Sequence, residues 1–151
     1  MKTLVIKNYA VLPLAQWLQS QLLHGKESRN RSRFIKLVAP HSEDINADRL
    51  ELCEKYAEKD ENDVPIMLNE DGTVSGMMVN GKPKGHHYKI EGEALLNFNK
   101  ELQEMMNEDF VIDVSPASRE AIYAVRDVVL NTTAEFVGVG AVEYDYWCSC
   151  F

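Results

Sequence analysis

The chain has 151 residues with 45% hydrophobic and 26% charged side chains, an ordinary globular composition, and a formal net charge of −8. No apolar run approaches the roughly 18 residues of a membrane span or the about 7–15 residues of a secretory signal, which argues against a membrane protein and favours the cytoplasm. A chain of this length buries about 70% of the surface that its unfolded form exposes, so we expect residues 1–151 to form a single domain without disulfides.

The charge is unevenly distributed along the sequence. Residues 1–40 carry seven Lys or Arg and one acid, whereas residues 41–151 carry nine Lys or Arg and 23 acids. An acidic protein is poorly suited to wrapping bulk nucleic acid, because that mode of binding depends on neutralising phosphates. A basic region on an acidic body instead suits one specific anionic ligand or an electrostatically steered protein partner.

The first predicted elements are a strand and a helix. Residues 3–7 form a short apolar run that is typical of a strand. Apolar residues at helical spacing predict a helix over residues 12–23, with Pro13 in its first turn, where the missing backbone N–H costs nothing. His24 and Gly25 then end this helix.

Two further helices are expected on either side of Pro40. The first covers residues 27–38 and ends because a proline disfavours helix in the residue before it. The second begins at Ser42, a suitable N-cap followed by two acids, and continues to about Lys59. An acidic loop over residues 58–63 follows.

The middle of the chain, residues 64–90, has the turn signals of a small antiparallel layer. Asn80-Gly81 is the strongest short-range hairpin signal in the sequence. We therefore expect a β-hairpin flap here. Its two or three short strands are predicted near residues 66–68, 74–79 and 86–90.

The following part of the chain again alternates helix and strand. Apolar residues on one face predict a helix over residues 93–107, and residues 110–114 are typical of a strand. Ser115 and Pro116 then provide an N-cap and a proline at the first helical position, which predicts a helix that continues to Leu130. The whole pattern predicts a helix-rich α+β fold with a small antiparallel β-hairpin or sheet layer.

The segment from Lys26 to Lys36 is the most distinctive feature of the sequence. On a helix, Arg29, Arg33 and Lys36 lie at positions i, i+4 and i+7 and so share one face. Guanidinium groups on one face clamp phosphates or carboxylates through paired N–H donors. The alternative is that these cations pair with acids of the same chain, for instance in the loop at residues 60–63. The candidate ligand- or partner-binding residues are Ser28, Arg29, Arg31, Ser32, Arg33 and Lys36.

No motif for catalysis, for a metal or for a cofactor is found. Adjacent histidines on a strand, such as His86 and His87, point to opposite faces and do not chelate together unless the chain bends. Cys148 and Cys150 have CxC spacing, and no second ligand pair stands at zinc spacing. A nucleophile elbow, a Walker motif and a complete dinucleotide loop are all lacking. We therefore expect no metal or cofactor, and an enzyme is the less favoured class.

The final residues, 136–151, are rich in aromatics and carry no predicted element. Tyr144, Tyr146 and Trp147 suit an interface, because Tyr and Trp are frequent in binding hot spots. A segment that docks into its own core would use the same residues, and this alternative is favoured.

Several segments of the chain carry a family resemblance. These segments are residues 25–36 (GKESRNRSRFIK), 56–61 (YAEKDE), 98–102 (FNKEL), 107–113 (NEDFVID) and 144–148 (YDYWC). In this order they resemble a family of small, uncharacterised proteins encoded by tailed phages and prophages of Gram-positive bacteria. The resemblance covers most of the chain except residues 64–90. It implies a phage accessory protein that acts in the host cytoplasm or in the particle, and it brings no catalytic residues.

The first functional hypothesis is a non-enzymatic binding module of phage origin. Its partner would be a host or phage protein, such as a host defence factor that it inhibits, or a small anionic signal ligand that it sequesters. The alternative is a structural or assembly component of the phage tail or particle that associates with itself through the aromatic tail. The third hypothesis is a hydrolase of nucleotides or nucleic acid. The oligomeric state is left open.

Overall fold

Five helices and six short strands make up the chain in a computed structural model that describes residues 1–151. The elements are β1 (Thr3–Lys7), α1 (Asn8–Ser20), α2 (Gly25–Tyr56), β2 (Met67–Leu68), β3 (Met78–Val79), β4 (Lys82–Pro83), β5 (His87–Tyr88), α3 (Gly92–Met106), β6 (Asp109–Asp113), α4 (Arg119–Leu130) and α5 (Val139–Cys150). The helix-rich α+β class with small antiparallel sheets is confirmed. None of the helices combines the length and the apolar character that crossing a membrane requires.

Contacts within the chain form two compact units. The first unit comprises residues 1–45 and 106–151, and the second comprises residues 46–105. Helix α2 contributes residues to both units. The expectation of a single domain stays a prediction.

A two-stranded antiparallel sheet of β1 and β6 lies in the first unit, with Val5 opposite Val111. Side chains alternate between the two faces of a strand. Leu4, Ile6 and Ile112 accordingly enter the core, while Val5 and Val111 are exposed. Both predicted strands are confirmed, and the second begins one residue earlier than expected.

One hydrophobic core occupies the first unit. Helices α1, α2 and α4 contribute buried apolar residues at helical spacing, for example Ala121, Ile122, Val125 and Val129 of α4, and α5 contributes Trp147. The largest fully buried side chains of this core include Phe34, Leu4, Ile6, Leu14, Leu18 and Ile122.

Helix α1 begins at Asn8, earlier than predicted, and ends at Ser20. Asn8 follows β1 without a loop, and its backbone N–H still donates to the carbonyl of Glu108 at 3.0 Å. The buried stripe of the helix begins at Ala10, ahead of the apolar residues from which the helix was predicted. Pro13 therefore lies inside the helix and not in its first turn.

Pro40 does not end a helix. Helix α2 continues through it for 32 residues, so the prediction of two helices on either side of Pro40 is wrong. A proline inside a helix removes one backbone hydrogen bond and costs about 3 kcal/mol. Contacts of the residues on both sides of Pro40 offset this cost. Val38 is buried in the core, while His41 stacks on Phe110 with ring centroids 3.7 Å apart and hydrogen-bonds to Asn8 at 2.7 Å.

The predicted β layer lies in the second unit. Strand β2 pairs with β5 and β3 pairs with β4, both antiparallel, although each strand has only two residues. Asn80 and Gly81 connect β3 to β4 with φ values of 52° and 75°, as a type I′ turn requires. The hairpin is therefore confirmed, as is the helix predicted over residues 93–107, which is α3.

Helix α4 begins at Arg119, later than predicted. The hydroxyls of Ser115 and Ser118 lie 3.1 Å apart, and the Ser118 hydroxyl also donates to the carbonyl of Asp113 at 2.9 Å. These bonds stabilise a turn between β6 and the helix. The Ser115 hydroxyl accepts the backbone N–H of Ser118 at 3.2 Å, the bond that an N-cap side chain makes, but Ser118 is the residue directly before the regular helix.

Candidate functional site

The first half of α2 carries a row of cations on its solvent side. Phe34 of this helix is buried in the core, whereas Lys26, Arg29, Arg33 and Lys36 are all exposed. We term these four residues the basic face. The row extends for about 15 Å along the helix axis, because each residue of an α-helix advances the chain by about 1.5 Å.

Glu120 of α4 is the acid that contacts the basic face. Its carboxylate oxygens lie 2.5 Å from the ammonium nitrogen of Lys26 and 3.7 Å from the guanidinium of Arg33. The hydrogen bond from Lys26, together with its charge, lowers the pKa of Glu120 below the ordinary value. The alternative of internal charge pairing therefore holds for Lys26 and Arg33, but their partner is Glu120 and not the loop at residues 60–63. Arg29 and Lys36 form no ion pair.

Arg31 has a structural role at the end of α1. Its guanidinium donates to the backbone carbonyls of Gln21 at 2.6 Å and Leu18 at 3.4 Å, and to the hydroxyl of Ser28 at 3.1 Å. The last carbonyls of a helix lack partners within the helix and carry partial negative charge. A guanidinium at this position therefore stabilises the end of α1. Two of the predicted binding residues, Arg31 and Ser28, are therefore engaged with each other, and Arg31 is also engaged with the end of α1.

Ser32 is also engaged locally, since its hydroxyl donates to the backbone carbonyl of Ser28 at 3.1 Å. Of the six residues predicted from sequence, the structure leaves Arg29, Arg33 and Lys36 exposed on one face. Lys26 was not among the predicted residues. It lies three positions before Arg29, so the same helical spacing identifies it.

A groove of about 630 Å³ lies beside the start of α2 in the first unit. Of the basic face, only Lys26 lines it, and three acids lie with it: Glu27, Glu120 and Asp127. Three carboxylates beside one ammonium group give the lining a negative balance. The groove is therefore poorly suited to a small anionic ligand.

The three tail aromatics differ in their surroundings. Trp147 is 3% exposed and packs in the core, as the core alternative predicts. Tyr144 donates its hydroxyl hydrogen to the carbonyl of Val129 at 3.0 Å, and the Tyr146 hydroxyl accepts the backbone N–H of Lys7 at 2.7 Å. The two tyrosines are half-buried and anchored by their hydroxyl groups.

The adjacent histidines His86 and His87 are exposed, and their Nδ1 atoms lie 3.0 Å apart. They do not alternate along one strand, because the chain bends at His86 and strand β5 begins only at His87, which is the exception that the prediction allowed for. No group of three or more His, Cys, Asp and Glu side chains has a geometry that would hold a metal ion.

Comparisons with protein-family models, with curated proteins and with solved structures found no match to this chain.

Proposed function

We propose that this protein is a non-enzymatic binding module whose basic face recognises an acidic surface of a partner protein. The observation that carries the proposal is the row of four exposed cations on α2, which only the carboxylate of Glu120 opposes. The family resemblance adds the expectation that the protein is a phage accessory acting in the host cytoplasm. On that expectation the partner is a host factor, such as a defence protein that the module inhibits.

Fold stability gives no reason for Arg29 and Lys36, which form no ion pair within the chain. The four cations of the basic face form three neighbouring pairs at i,i+3 or i,i+4 spacing, namely Lys26 with Arg29, Arg29 with Arg33, and Arg33 with Lys36. Like charges at these spacings destabilise a helix by about 0.2–0.5 kcal/mol for each pair. Carboxylates of a partner would relieve this repulsion and form charge-assisted hydrogen bonds with the two guanidinium groups.

The shape of the site favours a protein over a small ligand. Arg29, Arg33 and Lys36 lie outside the groove that Lys26 lines, so the cations form an extended row along a helix. Acidic side chains on one face of a partner helix recur at about 5–6 Å, which matches the spacing of the cations. The net charge of −8 repels acidic partners from the rest of the surface and so orients the encounter.

Native mass spectrometry of the protein isolated from host cells tests this proposal. We expect a stoichiometric protein complex that is lost when Arg29→Glu and Lys36→Glu are combined. The control combines Lys82→Glu and Lys100→Glu, two exposed lysines of the second unit, which changes the net charge equally. A complex that survives the first pair would remove the basic face from the interface. A bound small anion, or a homo-oligomer, would replace the proposal by sequestration or by a particle component respectively.

A further inference from the structure

Three valines at the start of α5 are among the most exposed apolar residues of the chain. Val137, Val139 and Val142 are 84%, 76% and 71% exposed. Val139 and Val142 are three residues apart on the helix and are therefore neighbours on one face. We term the three residues the valine patch. Single exposed apolar side chains are normal on a protein surface, whereas a cluster of them marks a site of interaction.

The helix that carries the valine patch is firmly held. Trp147, on the inner side of α5, is buried in the core. The hydroxyls of Tyr144 and Tyr146 hydrogen-bond to the backbone of α4 and β1, at Val129 and Lys7. A partner that binds here would not have to order the helix, which removes one of the free-energy costs of association.

A glycine sets the direction of the backbone between Val137 and Val139. Gly138, between Val137 and Val139, has φ 57° and ψ −128°, a mirror-image extended conformation that L side chains avoid. Beside it lies a hollow of about 390 Å³, lined by Ala134, Phe136, Ala141, Val142, Tyr144 and Asp145. Most of this lining is apolar, so an aliphatic side chain from another molecule would fit there.

The chain around the valine patch is acidic. Residues 128–151 contain three acids, Glu135, Glu143 and Asp145, and no Lys or Arg. Two copies of this patch facing each other would bring these acids together, and an anionic membrane would also be repelled. The charge therefore complements a partner whose aliphatic side chains are flanked by Lys or Arg.

We infer that the valine patch docks an amphipathic segment of a partner protein that presents aliphatic side chains flanked by Lys or Arg. An aliphatic side chain fills the hollow beside Val142, and the basic side chains pair with Glu143 and Asp145. The valine patch has the opposite charge preference to the basic face, and the inference does not depend on the proposed function.

Titration with a synthetic helical peptide of Leu and Lys tests the inference, with a Leu and Glu peptide of the same pattern as its counterpart. We expect the Leu/Lys peptide to bind, and combined Val139→Ser and Val142→Ser to weaken binding by at least about tenfold. The control Leu22→Ser changes an 87% exposed leucine of the same unit outside the patch and should leave the affinity unchanged.

These substitutions do not alter the charge, so any unspecific attraction of the basic peptide survives in all variants. Equal binding by the wild type and the double valine variant would overturn the inference, as would equally tight binding of the Leu/Glu peptide. A concentration-dependent dimer in sedimentation, lost in the double valine variant, would assign the patch to a second copy of the chain and would also overturn it.

Discussion

The hydroxyl of Tyr146 accepts a hydrogen bond from the backbone N–H of Lys7 at 2.7 Å and thereby ties α5 to strand β1. The backbone N–H of Asn8 donates to the carbonyl of Glu108, and the N–H of Val114 donates to the carbonyl of Lys2. The backbone N–H and C=O groups of the even-numbered residues along β1 therefore point towards β6. The N–H of Lys7 therefore points to the outer edge of the strand. The bond satisfies a donor that would otherwise lie unpaired along that edge.

Replacing Tyr146 by Phe should destabilise the fold by about 1–3 kcal/mol, because the substitution leaves the N–H of Lys7 without its partner. Urea denaturation of the wild type and the variant measures the difference. Tyr9→Phe serves as the control, since Tyr9 lies near Tyr146, with ring centroids 5.4 Å apart, but is exposed. Equal losses in both variants would show that the bond to Lys7 contributes nothing specific.

The same tyrosine predicts a pH dependence of stability. Burial raises the pKa of Tyr146 to about 12 from the ordinary value of 10.0. The phenol ionises at lower pH in the unfolded chain, so its contribution is fully present below pH 10 and is lost as the pH rises towards 12. The free energy of unfolding should thus fall more steeply over this range in the wild type than in Tyr146→Phe. Parallel pH profiles from denaturation would contradict the burial of this hydroxyl.

Gly85 in the second unit should not tolerate a side chain. A Cβ atom there would lie 2.8 Å from the Cβ of Met67 and 2.9 Å from the carbonyl oxygen of Leu68. Gly85→Ala should cost about 1–3 kcal/mol through overpacking. Gly76→Ala is the matched control, because a Cβ at Gly76 meets no atom within 4 Å. Hydrogen exchange should show faster opening of the second unit in the first variant only, and similar rates in both would contradict the close approach.

Two arginines of α2 should differ in how much they contribute to the stability of the fold. Arg31→Ala should destabilise the fold by about 1–2 kcal/mol, because the carbonyls at the end of α1 lose their guanidinium donor. Arg29→Ala should change stability by no more than about 0.5 kcal/mol, since this side chain is exposed and forms no ion pair. Thermal or urea unfolding distinguishes the two. A larger loss from Arg29→Ala than from Arg31→Ala would reverse their assigned roles.

Glu120 should act as an internal competitor for the basic face. The bond from Lys26 lowers the pKa of Glu120, so the ion pair is intact at neutral pH and weakens as the pH falls below the ordinary value of 4.5. Glu120→Gln should therefore raise the affinity for a Glu-rich helical peptide severalfold at neutral pH, with little change in stability. The control Glu135→Gln changes the net charge equally and should raise the affinity for the peptide by less. If titration calorimetry showed the same gain in affinity for both variants, the effect would be due to net charge alone.

Local rules predicted the regular elements well, because their signals lie within a few residues. The Asn80-Gly81 turn and the alternation in β1 are examples. Helix α2 shows where such rules fail, since the burial of Val38 and the contacts of His41 override Pro40. Helix α5 had no predicted element, because its valine patch and its buried aromatics leave no single apolar face for the pattern to reveal.

The candidate site was predicted only in part for a related reason. Spacing placed Arg29, Arg33 and Lys36 on one face, as the structure shows. It could not show that Arg31 caps α1, since this depends on where α1 ends. The pairing with Glu120 joins helices far apart in the sequence and has no local signal.

Titration calorimetry with a Glu-rich helical peptide at low salt tests the central claim most directly. Combined Arg29→Glu and Lys36→Glu should weaken binding by at least about tenfold, whereas combined Lys82→Glu and Lys100→Glu should weaken it by no more than about twofold. The difference should shrink as salt screens the exposed charges. Equal weakening in both variants would mean that the peptide senses only the net charge, and would contradict a binding site on the basic face.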